Sequence, residues 1–258
     1  VGGDIVGVRL PQFPVSLEEP DVPFVLLDKR EGHTYIAQSG LTGENALDSG
    51  DGRPLYTVDR SEYRIEEEAR AVTLRYEADG LLVEKIFRFE PDDYLIEMNY
   101  RVVNLGIDPF SANLFAQLRR DGSDPASESS FSMGPRPYVG AALTTEESRY
   151  EKVSFEDLEE EKLLTTVTGG WIAILQHYFL GAWVADANQT NQFYGHPNHG
   201  DGTYIVGFSG PPFMVEPGSS EMVGASFYAG PKDQKRLEAI APNLNLTVDY
   251  GFLWWLAV

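Results

Sequence analysis

Apolar and polar residues alternate with a period of two over long stretches of this chain, as they do in strands with one buried face. In AVTLRYEA, Val72, Leu74 and Tyr76 point one way and Thr73, Arg75 and Glu77 the other. Asp79-Gly80 marks a hairpin turn. Beyond it, Leu81, Val83, Phe87 and Phe89 share a face against Glu84, Arg88 and Glu90. A second turn at Pro91-Asp92-Asp93 leads into YLIEMNYRV, with Tyr94, Ile96, Met98, Tyr100 and Val102 on one side. Three strands joined by short turns predict an antiparallel meander. Further strands are expected over 170–176, 178–184, 203–208, 213–215 and 222–228, bounded by Gly, Pro or Asn. Turn-forming residues make 39–54 and 121–137 read as loops, and the acidic EDLEEEK (156–162) reads as a solvated loop or edge. Only near the end does the period lengthen. In PKDQKRLEAIAPNL, Leu237, Ile240, Ala241 and Leu244 recur at helical spacing, with Pro231 suited to a first turn and Pro242 to a stop. The expected organisation is a large antiparallel β domain over 1–230, then a short helix and an apolar exit segment over 231–258.

That exit segment is the most unusual stretch. From Pro242 to Val258 the only charge is Asp249, and Trp254 and Trp255 are two of the four tryptophans in the chain. Nine residues from Tyr250 are too few to span a bilayer, which takes about 20. Tyr250, Phe252, Leu253, Trp254 and Trp255 instead suit the membrane–water interface, where amphipathic rings settle. They are expected to orient a domain cut from a longer membrane protein whose continuation past Val258 meets the membrane. The alternative is a C-terminal element docking its aromatics into the domain's own core.

Composition narrows the function classes. Forty acidic against twenty basic residues give a net charge of −20, which argues against nucleic acid as a partner and against this body lying flat on anionic lipid. Cysteine is absent, so there is no disulfide framework, thiol nucleophile or Cys-based zinc site.

Candidate chemistry is sparse. His196 and His199 in GHPNHGDG, with Asp201 nearby, have ligand spacing for zinc, but Pro197-Asn198 and the flanking glycines read as a turn and no second ligand pair follows. DANQTNQFYG places Asp186, Asn188 and Thr190 at alternate positions of a calcium loop, yet Asn191 stands where Gly is required and no Glu closes it. Ser209 in GFSGP lacks the second Gly of a nucleophile elbow and reads as a strand-end serine. No metal, cofactor or catalytic residue is expected, and the chain does not read as an enzyme. Aromatics are more suggestive: Trp171, Tyr178, Phe179 and Trp183 fall on two neighbouring strands, either as core or as an apolar groove for an extended peptide or other flexible ligand.

The chain resembles the large periplasmic domain of the YidC family of bacterial inner-membrane insertases. The matching stretches are QSGLTG, RPLY, RYEK, GGWIAILQHYF, NQFY, VEPG and APNLNLTVDYGFLWWLA, in family order over nearly the whole chain. Its acidity, EDLEEEK above all, departs from the pattern. The resemblance implies a twisted antiparallel β-supersandwich, similar in shape to sugar-mutarotase and carbohydrate-binding domains, and a periplasmic place in a Gram-negative inner-membrane protein. It implies the Sec translocon, its SecDF accessory complex and nascent membrane proteins as partners, with insertion achieved without cofactor or covalent chemistry. A carbohydrate-binding or mutarotase-like protein is the main alternative, although the four histidines form no sugar-cleft pattern. An adhesin-like module explains the β pattern but not the apolar C-terminus.

Overall fold

The computed structural model describes the chain apart from residues 44–45, 49–51, 66–67, 124–137 and 249–258. Strands come in chain order as β1 (Val8–Pro14), β2 (Pro23–Arg30), β3 (His33–Thr42), β4 (Thr57–Val58), β5 (Arg70–Ala78), β6 (Leu81–Phe89), β7 (Leu95–Asn104) and β8 (Phe110–Asp121). They continue as β9 (Gly140–Leu143), β10 (Glu151–Val153), helix α1 (Phe155–Glu160), β11 (Leu163–Thr168), β12 (Trp171–Leu175), β13 (Phe179–Val184), β14 (Thr190–Asn198), β15 (Thr203–Val215) and β16 (Ser220–Pro231). Helix α2 (Gln234–Ile240) and a 3₁₀ turn (Leu244–Thr247) follow. The strands form two antiparallel sheets, one in the order β1-β2-β3-β8-β15-β14-β11 and the other β10-β9-β12-β13-β16-β7-β6-β5-β4.

The predicted meander is β5-β6-β7, in unbroken register from Arg70↔Phe89 to Ala78↔Leu81 and from Leu81↔Asn104 to Phe89↔Ile96. Its first turn uses positive φ at both Asp79 (52°) and Gly80 (77°), the conformation whose twist matches antiparallel strands. The sheets pack face to face over one apolar core drawn from both. Bonds cross between them: Trp183 Nε1 donates to Gln117 O at 3.0 Å, and the Tyr35 hydroxyl donates to Ile174 O at 3.3 Å. A second, smaller core lies on the outer face of the nine-stranded sheet. There Trp171, Ala173, Leu175, Leu180 and Tyr228 meet Leu237, Ala241 and Leu244 of the C-terminal helical segment. Leu237 and Leu244 are fully buried, and each such side chain contributes roughly 1.5–3 kcal/mol. Asp233 caps α2 by accepting from Arg236 N at 2.8 Å, and the Arg236 guanidinium pairs with Asp93 in the β6–β7 turn.

Several expectations need correction. Pro231 ends β16 rather than opening the helix, which starts at Gln234 behind the Asp233 cap. The acidic EDLEEEK stretch is largely helical: Ser154 and Asp157 form a capping box at 3.0 and 2.7 Å, and Leu158 is the one buried anchor of α1. The segments 203–208 and 213–215 are one strand, β15, with a register shift between Ser209 and Pro212, so Ser209 lies within a strand and not at its end. The turn-rich reading of 39–54 hid the last four residues of β3, which run on to Thr42. Pro197 and Asn198 belong to β14 and pair with Tyr204 and Thr203.

Candidate functional site

Two regions concentrate unusual side chains. The first lies where β1 and β2 meet the β12–β13 turn and the end of β16. Phe13 and Phe24 project from facing strands of the β1–β2 hairpin onto Phe179. Phe24 stacks on the Phe179 ring at 4.3 Å and Phe13 meets its edge at 5.2 Å. The β12–β13 turn is tight, with Gln176 N donating to Phe179 O at 2.9 Å. It pushes His177 and Tyr178 outward, where their rings stack at 3.9 Å. Tyr178 stays 67% exposed although its carbonyl is fixed by Lys232 N. These residues, with Val15, Pro231 and Val248, line an open groove of ≈ 700 Å³. Leu17 in the β1–β2 connection is 93% exposed and Leu246 is 42% exposed. The chemistry is that of an apolar, aromatic-walled trough rimmed by Lys232 and Asp233, able to hold a flexible apolar segment. Val248 on its wall is the last described residue before the stretch holding Tyr250, Phe252, Leu253, Trp254 and Trp255, all of which lie outside the described residues.

The structure therefore divides the four predicted aromatics. Tyr178 and Phe179 reach the groove; the two tryptophans do not. Trp171 is fully buried on the outer face of its sheet and donates Nε1 to Pro242 O at 3.1 Å, tying β12 to the C-terminal segment. Trp183 is buried on the opposite face, between the sheets. Alternation decides this, because residues 171 and 183 pair one step out of phase, Trp171↔Val184 and Ile172↔Trp183. Phe13 and Phe24 are groove residues that sequence reading missed. The available signal was the Phe13-Pro14 and Pro23-Phe24 pairs, which bracket the acidic connection at the hairpin end.

The second region is a buried polar knot at the N-terminal end of the chain. Arg53 sits between two carboxylates, with Nε to Asp48 at 2.6 Å and Nη1 to Asp4 at 2.5 Å, and Nη2 donates to Ser39 O at 2.8 Å. Asp48 also accepts from Leu41 N, and Asp4 from Gln38 Nε2. Beside them Lys85, fully buried on the inward face of β6, donates Nζ to Gly2 O at 2.9 Å and Ser39 O at 3.1 Å. Burial pushes this ammonium down to about 7, with Asp4 pulling upward and Arg53 downward. Gly2 holds φ at +68°, and a Cβ there would fall 2.4 Å from Arg53 Cζ, so only glycine lets the chain cross the knot. Lys85 was legible as the gap in the Val83–Phe87 alternation. The knot fastens four chain segments, around Asp4, Ser39, Arg53 and Lys85.

Among the described residues no group of three His, Asp or Glu side chains gathers as a metal site. His196 is in β14 with Nδ1 3.1 Å from Pro197 O, while His199 is exposed 4.0 Å from Glu159. No helix among the described residues is long and apolar enough to cross a membrane.

The family model described as the YidC periplasmic domain matches residues 1–258. The "Membrane protein insertase YidC" of Cellvibrio japonicus is 44% identical over 259 residues, covering 100% of this chain and 47% of that protein. That of Stutzerimonas stutzeri is 45% identical, covering 99% of this chain and 46% of that protein. The chain thus spans about half the length of the curated relatives it matches. Among solved structures, a galactose mutarotase related enzyme from Lactobacillus acidophilus superposes at TM-score 0.45 and 10% identity, covering 75% of this chain and 82% of its own.

Proposed function

The chain belongs to the YidC periplasmic domain family, and on that premise we propose that it is the accessory periplasmic module of a membrane protein insertase. In that reading it docks partner subunits or transiently holds translocated segments of nascent membrane proteins. It performs no covalent chemistry, and its exit segment sets its orientation on the membrane. One observation carries this: the aromatic trough of Phe13, Phe24, Tyr178 and Phe179 is also lined by Val248, which lies in the nearly uncharged stretch leading to Trp254 and Trp255. A membrane-facing apolar end beside a body of charge −20 keeps the body off anionic lipid while the aromatics seek the interface. The insertase lowers the cost of placing polar segments in lipid, and a trough at the lipid surface is where an emerging apolar stretch first needs cover. The Sec translocon and the SecDF complex are the partners this reading implies.

Replacing Phe252, Trp254 and Trp255 with Ser in the full-length protein is expected to slow insertion of client proteins into inverted membrane vesicles. Tyr178→Ser with Phe13→Ser is expected to weaken crosslinking of clients to the domain. Insertion unchanged by the first set removes the orienting role, and crosslinking unchanged by the second removes the trough as a holding site.

A further inference from the structure

Among the described residues the two sheets end in four edge strands, β1, β11, β10 and β4, and three of them carry a device against further pairing. β1 contains Pro11 and Pro14 and shifts register twice against β2. β4 is two residues long, and β10 is three, with charges at Glu151 and Lys152. Short edges, prolines, bulges and charges are the usual means of stopping a sheet from recruiting another strand. β11 has none of these. Its sequence LLTTVT holds no charge and no proline, and it pairs with β14 without a break from Leu163↔Gly195 to Thr168↔Thr190.

The parity of that ladder fixes what the edge presents. Gly169, one step beyond the strand, donates its N–H to Gln189 O at 2.8 Å. Counting back by twos, Val167, Thr165 and Leu163 turn their peptide groups toward β14. The N–H and C=O of Leu164, Thr166 and Thr168 therefore point away from the sheet. The Thr168 and Thr190 hydroxyls lie 3.2 Å apart, which fits, since side chains approach more closely in pairs that do not exchange hydrogen bonds. Leu164 is 66% exposed, and Thr166 and Thr168 are exposed with it.

Charge chooses the occupant. A second copy pairing edge to edge would set a body of −20 against another of −20, a repulsion that grows as the charges near each other. Directly ahead of β11 stand Glu156, Asp157, Glu159, Glu160 and Glu161, exposed, with Lys162 the one base in that run. We propose that β11 is an open pairing edge that takes an extended polypeptide segment of apolar and β-branched residues, with Lys or Arg at the end lying against α1. Main-chain bonds supply attraction indifferent to sequence, alternate side chains extend the Leu163–Val167 face, and the acids select a basic flank. The aromatic trough involves β1 and β2, at the opposite edge of the same sheet, so this inference does not rest on the holding role proposed for it.

The test is fluorescence anisotropy of a labelled peptide of alternating threonine and valine flanked by lysines, titrated with the 258-residue chain. Saturable binding is expected, weakened about tenfold or more by Thr166→Pro, by N-methylation of alternate peptide nitrogens, and by glutamates in place of the lysines. Thr166→Pro removes an outward N–H only, so the thermal midpoint should hold; the N-methylated peptide puts the same question to the unaltered protein. Equal binding of the N-methylated or the glutamate-flanked peptide overturns the proposal. So does sedimentation showing a dimer that Thr166→Pro disperses, which assigns the edge to a second copy.

Discussion

The inside of the sandwich around Lys85 and the outside of the nine-stranded sheet under α2 both bury their central side chains, yet they are held by opposite physics. Under α2 the contacts are Leu237, Ala241 and Leu244 on Trp171, Leu175 and Tyr228, non-directional and indifferent to pH. Around Lys85, two cations and two carboxylates are fixed by named bonds to Gly2 O, Ser39 O, Leu41 N and Gln38. The first kind of packing tolerates substitutions that keep volume. The second fails when the ion-pair member Arg53 is removed, because Asp4 and Asp48 are left charged and largely dry. Fastening Gly2 and Asp4 is thus assigned to electrostatics, and fastening the segment 234–247 to apolar burial.

The largest break in that comparison is Arg53→Ala. It leaves Asp4 and Asp48, with side chains 10% and 5% exposed, facing each other without the guanidinium. A cost of about 3–5 kcal/mol is expected, read as a lowered midpoint in scanning calorimetry. Adding Asp4→Asn and Asp48→Asn to the same chain should return most of it. On the apolar side, Leu237→Ala is expected to cost about 2–5 kcal/mol, by the same amount at every pH between roughly 6 and 10, since no titrating group is touched. Lys85→Met sharpens the contrast. Because burial lowers the folded pKa of Lys85 to about 7, the unfolded chain holds an extra proton from there up to the ordinary lysine range near about 10.4. Stability therefore rises with pH across that window, by up to about 1.4 kcal/mol per pH unit, and the penalty is fully present below it. The Met variant should flatten that rise and be more stable by about 1–4 kcal/mol under the window, as measured by urea denaturation at a series of pH values. A pH profile with the original slope would show that Lys85 is not its source. Smallest is Ser154→Ala, which removes the α1 cap outside both regions and should cost about 1 kcal/mol without altering the pH profile.

What the sequence made legible follows the same division. The β5-β6-β7 meander could be read because alternation, Asp79-Gly80 and Asp92 all agree, and long periodic segments are the most readable. β3 was obscured because its core-facing run, QSGLT, is small and polar and is covered by β8 and by the Asp48 loop. Turn chemistry in the letters was overridden there by tertiary burial. Helix α1 was read as a loop because six residues with one buried side chain give no periodic signal; only the Ser154–Asp157 cap marks it. For the candidate site, aromatic content pointed to the β12–β13 hairpin, whose Tyr178 and Phe179 line the groove. The sequence left the tryptophans open between core and groove, because a strand buried on both faces, as β12 and β13 are, carries no alternation from which to read inside and outside. Phe13 and Phe24 come from the far end of the chain, and no local pattern announces that meeting.

The position of α2 on the outer face of its sheet has a mechanical consequence. It contributes no strand to either ladder, and beside its apolar contacts the bonds that join it include the Trp171–Pro242 bond and the Arg236–Asp93 pair. Tension applied through Val248 is borne first by those side chains and not by a row of peptide bonds loaded in shear. Lifting the helical segment as one piece would therefore leave the described strands paired, which makes that segment the release point of the sandwich ahead of its frame.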